Sequence, residues 1–125
     1  AVRRGGPRRL VRRRDTVSHE RGNVVWAADP FREGGSGRPW LVVGGSATPF
    51  HGDQFICVAI TSKGYHEEAV SPHDAGLPRE SYAMPWSVSS IEVDDITRKV
   101  GTVREELVAD TVEPLVEYVA ESPSQ

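Results

Sequence analysis

Arg38-Pro39-Trp40-Leu41-Val42-Val43-Gly44-Gly45 is the stretch on which the reading of this chain turns. Five apolar residues from Pro39 to Val43 run without a polar interruption and stop at two glycines, the pattern of a buried strand. The glycine-rich loop Gly34-Gly35-Ser36-Gly37 leads into it. Between loop and strand stands Arg38, whose guanidinium cannot shed its charge cheaply. A cation at the mouth of an apolar strand either closes a surface salt bridge or binds an anion. These residues alone leave both readings open.

The flanking segments supply further strands. Asn23-Val24-Val25-Trp26-Ala27-Ala28 is β-branched and aromatic and is closed by Asp29-Pro30. Gln54 to Thr61 is the most hydrophobic run and is expected at the centre of a sheet. The loop between, Gly44 to Asp53, carries Ser46, Thr48, Pro49 and His51. Ser62-Lys63-Gly64-Tyr65-His66 turns the chain, Glu67 to Val70 reads as a short edge strand, and Ser71 to Pro78 as a loop with a solvated His73. Glu80 to Met84 and Trp86 to Ile91 read as two strands broken at Pro85, because proline has no N–H for a ladder.

The period then changes. Thr102 and Glu105 have the spacing of a capping box, and Leu107, Val108, Thr111, Val112, Leu115, Val116 and Val119 follow on one helical face. Pro114 predicts a kink or break near Thr111-Val112. Many short strands followed by one helix describe a compact α+β domain, mostly β, in which the helix covers a barrel or sheet.

Length and composition narrow the function classes. The 125 residues suit one domain, and no apolar run approaches membrane-spanning length, so a soluble protein is expected. The single cysteine, Cys57, lies in an apolar strand and reads as a core thiol in a reducing, cytoplasmic setting. Residues 1–22 hold eight arginines against Asp15 and Glu20, a net of +6, with Gly5-Gly6-Pro7 and hardly any apolar content. The reading is a disordered basic arm over 1–20, a domain over 21–121, and a tail over 122–125. The arm is read as an inert tail or an over-extended gene start in preference to a segment that touches phosphates. Its opening residues have no apolar segment behind them and do not read as a secretory signal.

The remaining 103 residues hold seven Lys and Arg against sixteen Asp and Glu, and the whole chain has two lysines, Lys63 and Lys99. An acidic, lysine-poor body suits a salt-rich cytoplasm, a halophilic trait. The folded state is then expected to gain stability as salt is added, and full stability in dilute buffer would count against it. No pair of histidines has metal-ligand spacing, and the Gly34–Gly37 loop lacks the Gly-Lys-Ser/Thr of a nucleotide-binding loop.

Four segments in order carry a resemblance: Arg21-Gly22-Asn23-Val24-Val25-Trp26; the glycine loop with Arg38-Pro39-Trp40-Leu41-Val42-Val43; Val58-Ala59-Ile60-Thr61-Ser62; and Val100-Gly101-Thr102-Val103. Over roughly 21–120 the chain resembles the MazF/PemK family of toxin–antitoxin endoribonucleases. The resemblance implies an SH3-like β-barrel of the CcdB/PemK-like kind with a C-terminal helix, usually a homodimer. It implies cofactor-free, metal-independent, sequence-specific cleavage of single-stranded RNA, an mRNA interferase activity neutralised by a cognate antitoxin. In that chemistry the ribose 2′-OH attacks its own phosphodiester and leaves a 2′,3′-cyclic phosphate and a 5′-OH.

The family's catalytic arginine matches Arg38, and its catalytic hydroxyl matches Thr61, with Ser62 beside it. In-line attack builds charge on the non-bridging oxygens, which a preorganised cation and a hydroxyl donor stabilise. Arginine, which holds its proton, makes a poor base. His51 and His66 are candidate bases by type, and Ser46, Ser62, Lys63, Trp86 and Ser87 are further candidates for catalysis or RNA contact. Trp86, Trp40 and Tyr65 are candidates for base stacking.

Two departures from the family stand out. Gly44-Gly45 replaces a frequent Ser-Asn, and Ser89-Ser90 with Asp94-Asp95 occupy positions where basic or Arg-Thr residues are frequent. The competing reading is a non-catalytic module on the same barrel that binds RNA or protein, including the topoisomerase poisons of this superfamily. The Arg38/Thr61 pair favours the enzyme.

Overall fold

Beside Gly37 lies the indole of Trp26, so close that a Cβ on residue 37 would collide with its Nε1 edge. The second strand begins at this glycine, two residues earlier than the apolar run indicates. The computed structural model describes residues 19–29, 37–62, 69–70 and 81–120. Along them run β1 (Asn23–Ala28), β2 (Gly37–Val42), β3 (Gln54–Thr61) and β4 (Tyr82–Glu92). A single 3-10 turn, Val93–Asp95, follows, then β5 (Ile96–Thr102) and helix α1 (Glu105–Ala120). The first 18 residues, the Gly34–Ser36 part of the glycine loop, Lys63, Tyr65, His66, His73 and the tail beyond Ala120 lie outside the described residues.

The five strands form one antiparallel sheet in the order β4-β3-β2-β1-β5. The two edge strands are consecutive in the chain, and this forces curvature. A flat five-stranded sheet separates its edges by about 19 Å. The four residue steps from Glu92 to Ile96 reach about 14 Å at most. The sheet therefore curls until its edges approach, giving a barrel-like fold that remains unpaired between β4 and β5.

Curling creates two cores, and strand alternation sorts the residues between them. Val25, Ala27, Trp40, Val42, Phe55, Cys57, Ala59 and Ile91 fill the concave side, with Met84, Val93 and Ile96 packed against them. Val24, Leu41, Val43, Val58, Ile60, Ala83, Val103 and Val108 form the second core on the side of α1. Strand β2 is buried on both faces, which is why Pro39 to Val43 shows no polar alternation.

Several expectations are corrected. Strand β4 is continuous through Pro85 because the ladder absorbs it. Val58 faces Val88 and Ile60 faces Ala83, so four residues, Met84 to Ser87, oppose Ala59 alone. Proline is tolerated in such a bulge at a sheet edge. Thr102 ends β5 rather than capping a helix, and Gly101 pairs with Val24. The helix begins at Glu105 and runs unbroken across Pro114 to Ala120, and the Thr111 hydroxyl donates to the Leu107 carbonyl at 2.9 Å. Of the edge strand expected over Glu67 to Val70, Val70 makes an isolated antiparallel bridge to Ala83, and Glu67 and Glu68 lie outside the described residues.

Arg21 ties the start of the domain to its end. Its guanidinium donates to the Val43 carbonyl at 2.7 Å and pairs with Glu105 at 2.7 Å. That pairing holds the Glu105 carboxyl below its usual range and raises Arg21. No helix among the described residues is long and apolar enough to cross a membrane.

Candidate active site

Three strands deliver chemistry to one end of the barrel. Ala27 faces Arg38 across the β1–β2 ladder, so Asp29, two residues on, falls on the same face. Trp40 faces Ala59 across β2–β3, and the same register carried two residues further sets Arg38 opposite Thr61. Because Ala27, Trp40 and Ala59 all point into the concave core, Asp29, Arg38 and Thr61 sit at its rim.

The guanidinium is gripped from two sides. Its Nη1 donates to Asp29 Oδ2 at 3.1 Å, and its Nη2 donates to the carbonyl of Ile60, the residue before Thr61, also at 3.1 Å. The Asp29 side chain is 5 % exposed and that of Arg38 24 %. Asp29 is the participant that sequence reading missed. Its place on the same face follows from the Ala27–Arg38 pairing, which the sequence alone does not supply.

The site holds a surplus of donors. Arg38 Nε and Trp40 Nε1 are buried and have no acceptor among the described residues. Both nitrogens are closed off from solvent, so the donors that an anion at this rim could meet are the N–H groups on Arg38 Nη1 and Nη2 that Asp29 and Ile60 leave over.

The other candidates divide by position. Ser62 is exposed beside Thr61. Trp86, 41 % exposed, and Ser87 lie in the bulge opposite Ala59, toward the same end. Trp40 is 1 % exposed and belongs to the core, so no base can stack on it. Ser46 and His51 lie in the β2–β3 loop, at the opposite end of the strands from Arg38 and Thr61. His51 packs edge-on against Phe55 at 5.6 Å. The structure does not bring these two to the rim. Ser89 and Ser90 pair with Cys57 and Ile56, also toward the far end, and the Ser90 hydroxyl donates to Gln54 Oε1 at 3.1 Å. Lys63, Tyr65 and His66 lie outside the described residues.

Two further ionisable groups are structural. Burial pushes the Cys57 thiol up to about 12, so it carries no thiolate for nucleophilic work near neutral pH. His19 is buried and packs edge-on against Phe55 at 5.5 Å. Burial first, and the Lys99 ammonium second, lower its pKa from 6.5. The unfolded chain then binds this proton more readily than the folded one, so stability present above about pH 6.5 is lost as pH falls through it. A urea midpoint lower at pH 5.5 than at 7.5, with the difference reduced in His19→Gln, is the expected result. Among the described residues no three His, Cys, Asp or Glu side chains gather as a metal site.

Comparisons with known proteins bear on the family and on the fold. The family model described as PemK-like, MazF-like toxin of type II toxin–antitoxin system matches residues 20–118. Among solved structures, the chain is similar to MazF from Deinococcus radiodurans, with a TM-score of 0.69 and 17% identity over 82% of this chain and 97% of that one. An endoribonuclease from a mycobacterial species, in complex with its cognate antitoxin, is 18% identical at a TM-score of 0.62 and covers 85% and 96%. The Mycobacterium tuberculosis toxin MazF-mt6 is 17% identical at 0.61, covering 78% and 95%. At these identities the likeness is one of fold. No curated protein matches the sequence at a significant level.

Proposed function

Because the chain belongs to the PemK-like, MazF-like family of type II toxins, we propose that it is a toxin endoribonuclease that cleaves single-stranded RNA without a metal. The observation that carries this reading is the grip on Arg38, whose Nη2 rests on the carbonyl next to Thr61. It brings a guanidinium fork and a hydroxyl to one rim of the barrel.

In the proposed reaction the 2′-oxygen bonds to phosphorus and the P–O5′ bond breaks, leaving a 2′,3′-cyclic phosphate and a 5′-OH. Arg38 stabilises the charge that builds on the non-bridging oxygens, and Thr61 Oγ1 donates to the same phosphate. The 2′-OH gives its proton to a base, and the leaving 5′-oxygen takes one up. Of the two histidines weighed for the base, His51 stands at the far end, which leaves His66 as the candidate by type. Trp86 offers an exposed ring for stacking a base.

Two partners complete the proposal. The mycobacterial relative is in complex with its cognate antitoxin, and a comparable antitoxin is proposed for this chain. A homodimer is proposed from the outer half of α1, where Val116, Tyr118 and Val119 are 52 %, 40 % and 78 % exposed.

The test is incubation of the purified protein with mixed single-stranded RNA oligonucleotides in EDTA across a range of salt. Fragments with cyclic-phosphate ends are expected. Absence of cleavage at every salt would refute the enzyme and favour a module that binds without cutting.

A further inference from the structure

Resting on the ribonuclease reading, we infer that Asp29 is a positioning residue, one that sets the Arg38 guanidinium for the phosphate without touching the substrate. Three observations carry this. The first is geometric: Asp29 and the Ile60 carbonyl each take one terminal nitrogen of the fork, at 3.1 Å in both cases. Two anchors on different nitrogens restrict both where the group sits and how its plane is turned.

The second is burial. The Asp29 carboxylate is 5 % exposed, too little for water to replace the cation. An arginine that swung out to meet RNA would give up this largely buried ion pair, which is costly. Arg38 therefore acts from where it stands, reaching the phosphate with the N–H groups that the two anchors leave over. The third is backbone placement. Asp29 is the first residue past β1, and the ladder that places Arg38 opposite Ala27 ends one residue before it, so Arg38 stands on a strand and Asp29 follows directly from one.

The chemical consequence is preorganisation. A free arginine side chain loses rotamer freedom when it binds a phosphate. Here that loss is incurred on folding, and the cation is already oriented when charge builds on the phosphoryl oxygens. Asp29→Asn keeps the shape and one acceptor oxygen but removes the charge that holds the fork.

The experiment measures single-turnover cleavage by the wild-type protein, Asp29→Asn, Arg38→Ala and the double variant. Asp29→Asn is expected to lower the cleavage rate about 10- to 100-fold with little change in RNA affinity. It is expected to add no further loss on the Arg38→Ala background, because it acts through Arg38. A merely structural residue would lower the residual activity of both backgrounds alike. Should Asp29→Asn fail to fold, NMR of the unmodified protein still decides. Slow guanidinium rotation at Arg38, seen as separate Nη proton signals with Arg38→Lys for assignment, is expected, and one averaged signal would overturn the inference. Wild-type cleavage undiminished in Asp29→Asn overturns the positioning role alone. No cleavage by the wild type overturns the proposed function and takes the positioning role with it.

Discussion

Arg38→Ala is expected to lower RNA cleavage by about 10²- to 10³-fold, the scale on which a preorganised oxyanion donor is lost. The rate falls because Arg38 is the cation held against the carbonyl beside Thr61. Arg21 is committed to Glu105, Arg104 lies beside Glu106, and Arg98 lies over the Trp26 ring, 5.2 Å from its centroid. The variant also removes the ion pair that Arg38 makes with the buried Asp29 carboxylate. Breaking a fully buried pair costs about 3–5 kcal/mol. With Arg38 partly exposed, the cost here should fall below that range. Cleavage assays run beside thermal melts separate the two effects: a folded, inactive protein is the expected outcome, and a folded protein that still cleaves would remove Arg38 from the mechanism.

Trp40→Ala is expected to carry the largest stability cost, about 3–5 kcal/mol. Trp40 is 1 % exposed and packs in the concave core with residues of β1, β3 and β4. Marginal domains have about 5–15 kcal/mol in total, so the variant should unfold at far lower denaturant. Trp40 also lies two residues from Arg38 on the same face, and its loss removes the floor under the site. A denaturant midpoint within error of the wild type would show that this core is not what holds the barrel together.

Much of this arrangement was legible in the sequence where a segment interacts with its own neighbours. β1 and β3 fall at Asn23–Ala28 and Gln54–Thr61, as their β-branched and aromatic runs indicate. The illegible parts are those decided across the chain. β5 reads Ile-Thr-Arg-Lys-Val-Gly-Thr, an exposed edge whose alternation is broken by two register shifts against β1.

The capping-box spacing of Thr102 and Glu105 misled for a physical reason. Both side chains are taken by distant partners: Asn23 Nδ2 donates to Thr102 Oγ1 at 3.3 Å, and Arg21 donates to Glu105. Pro85 looked like a strand break because a bulge is invisible without its partner strand. Of the candidate site, Arg38 and Thr61 are proposed through the family resemblance. Asp29 was passed over as a turn residue, because its importance depends on a register that only pairing supplies.

The strand order also bears on how this protein is made. β1 is among the first parts of the domain to leave the ribosome, yet one of its two partners, β5, is nearly the last. Until residue 102 has emerged, β1 is a bare edge and the hollow that Ile96 helps to fill stands open. The three strands that carry Asp29, Arg38 and Thr61 have then already emerged, while the barrel-like curl still lacks its last strand. The candidate site therefore waits on β5 for the concave core beneath it to be complete.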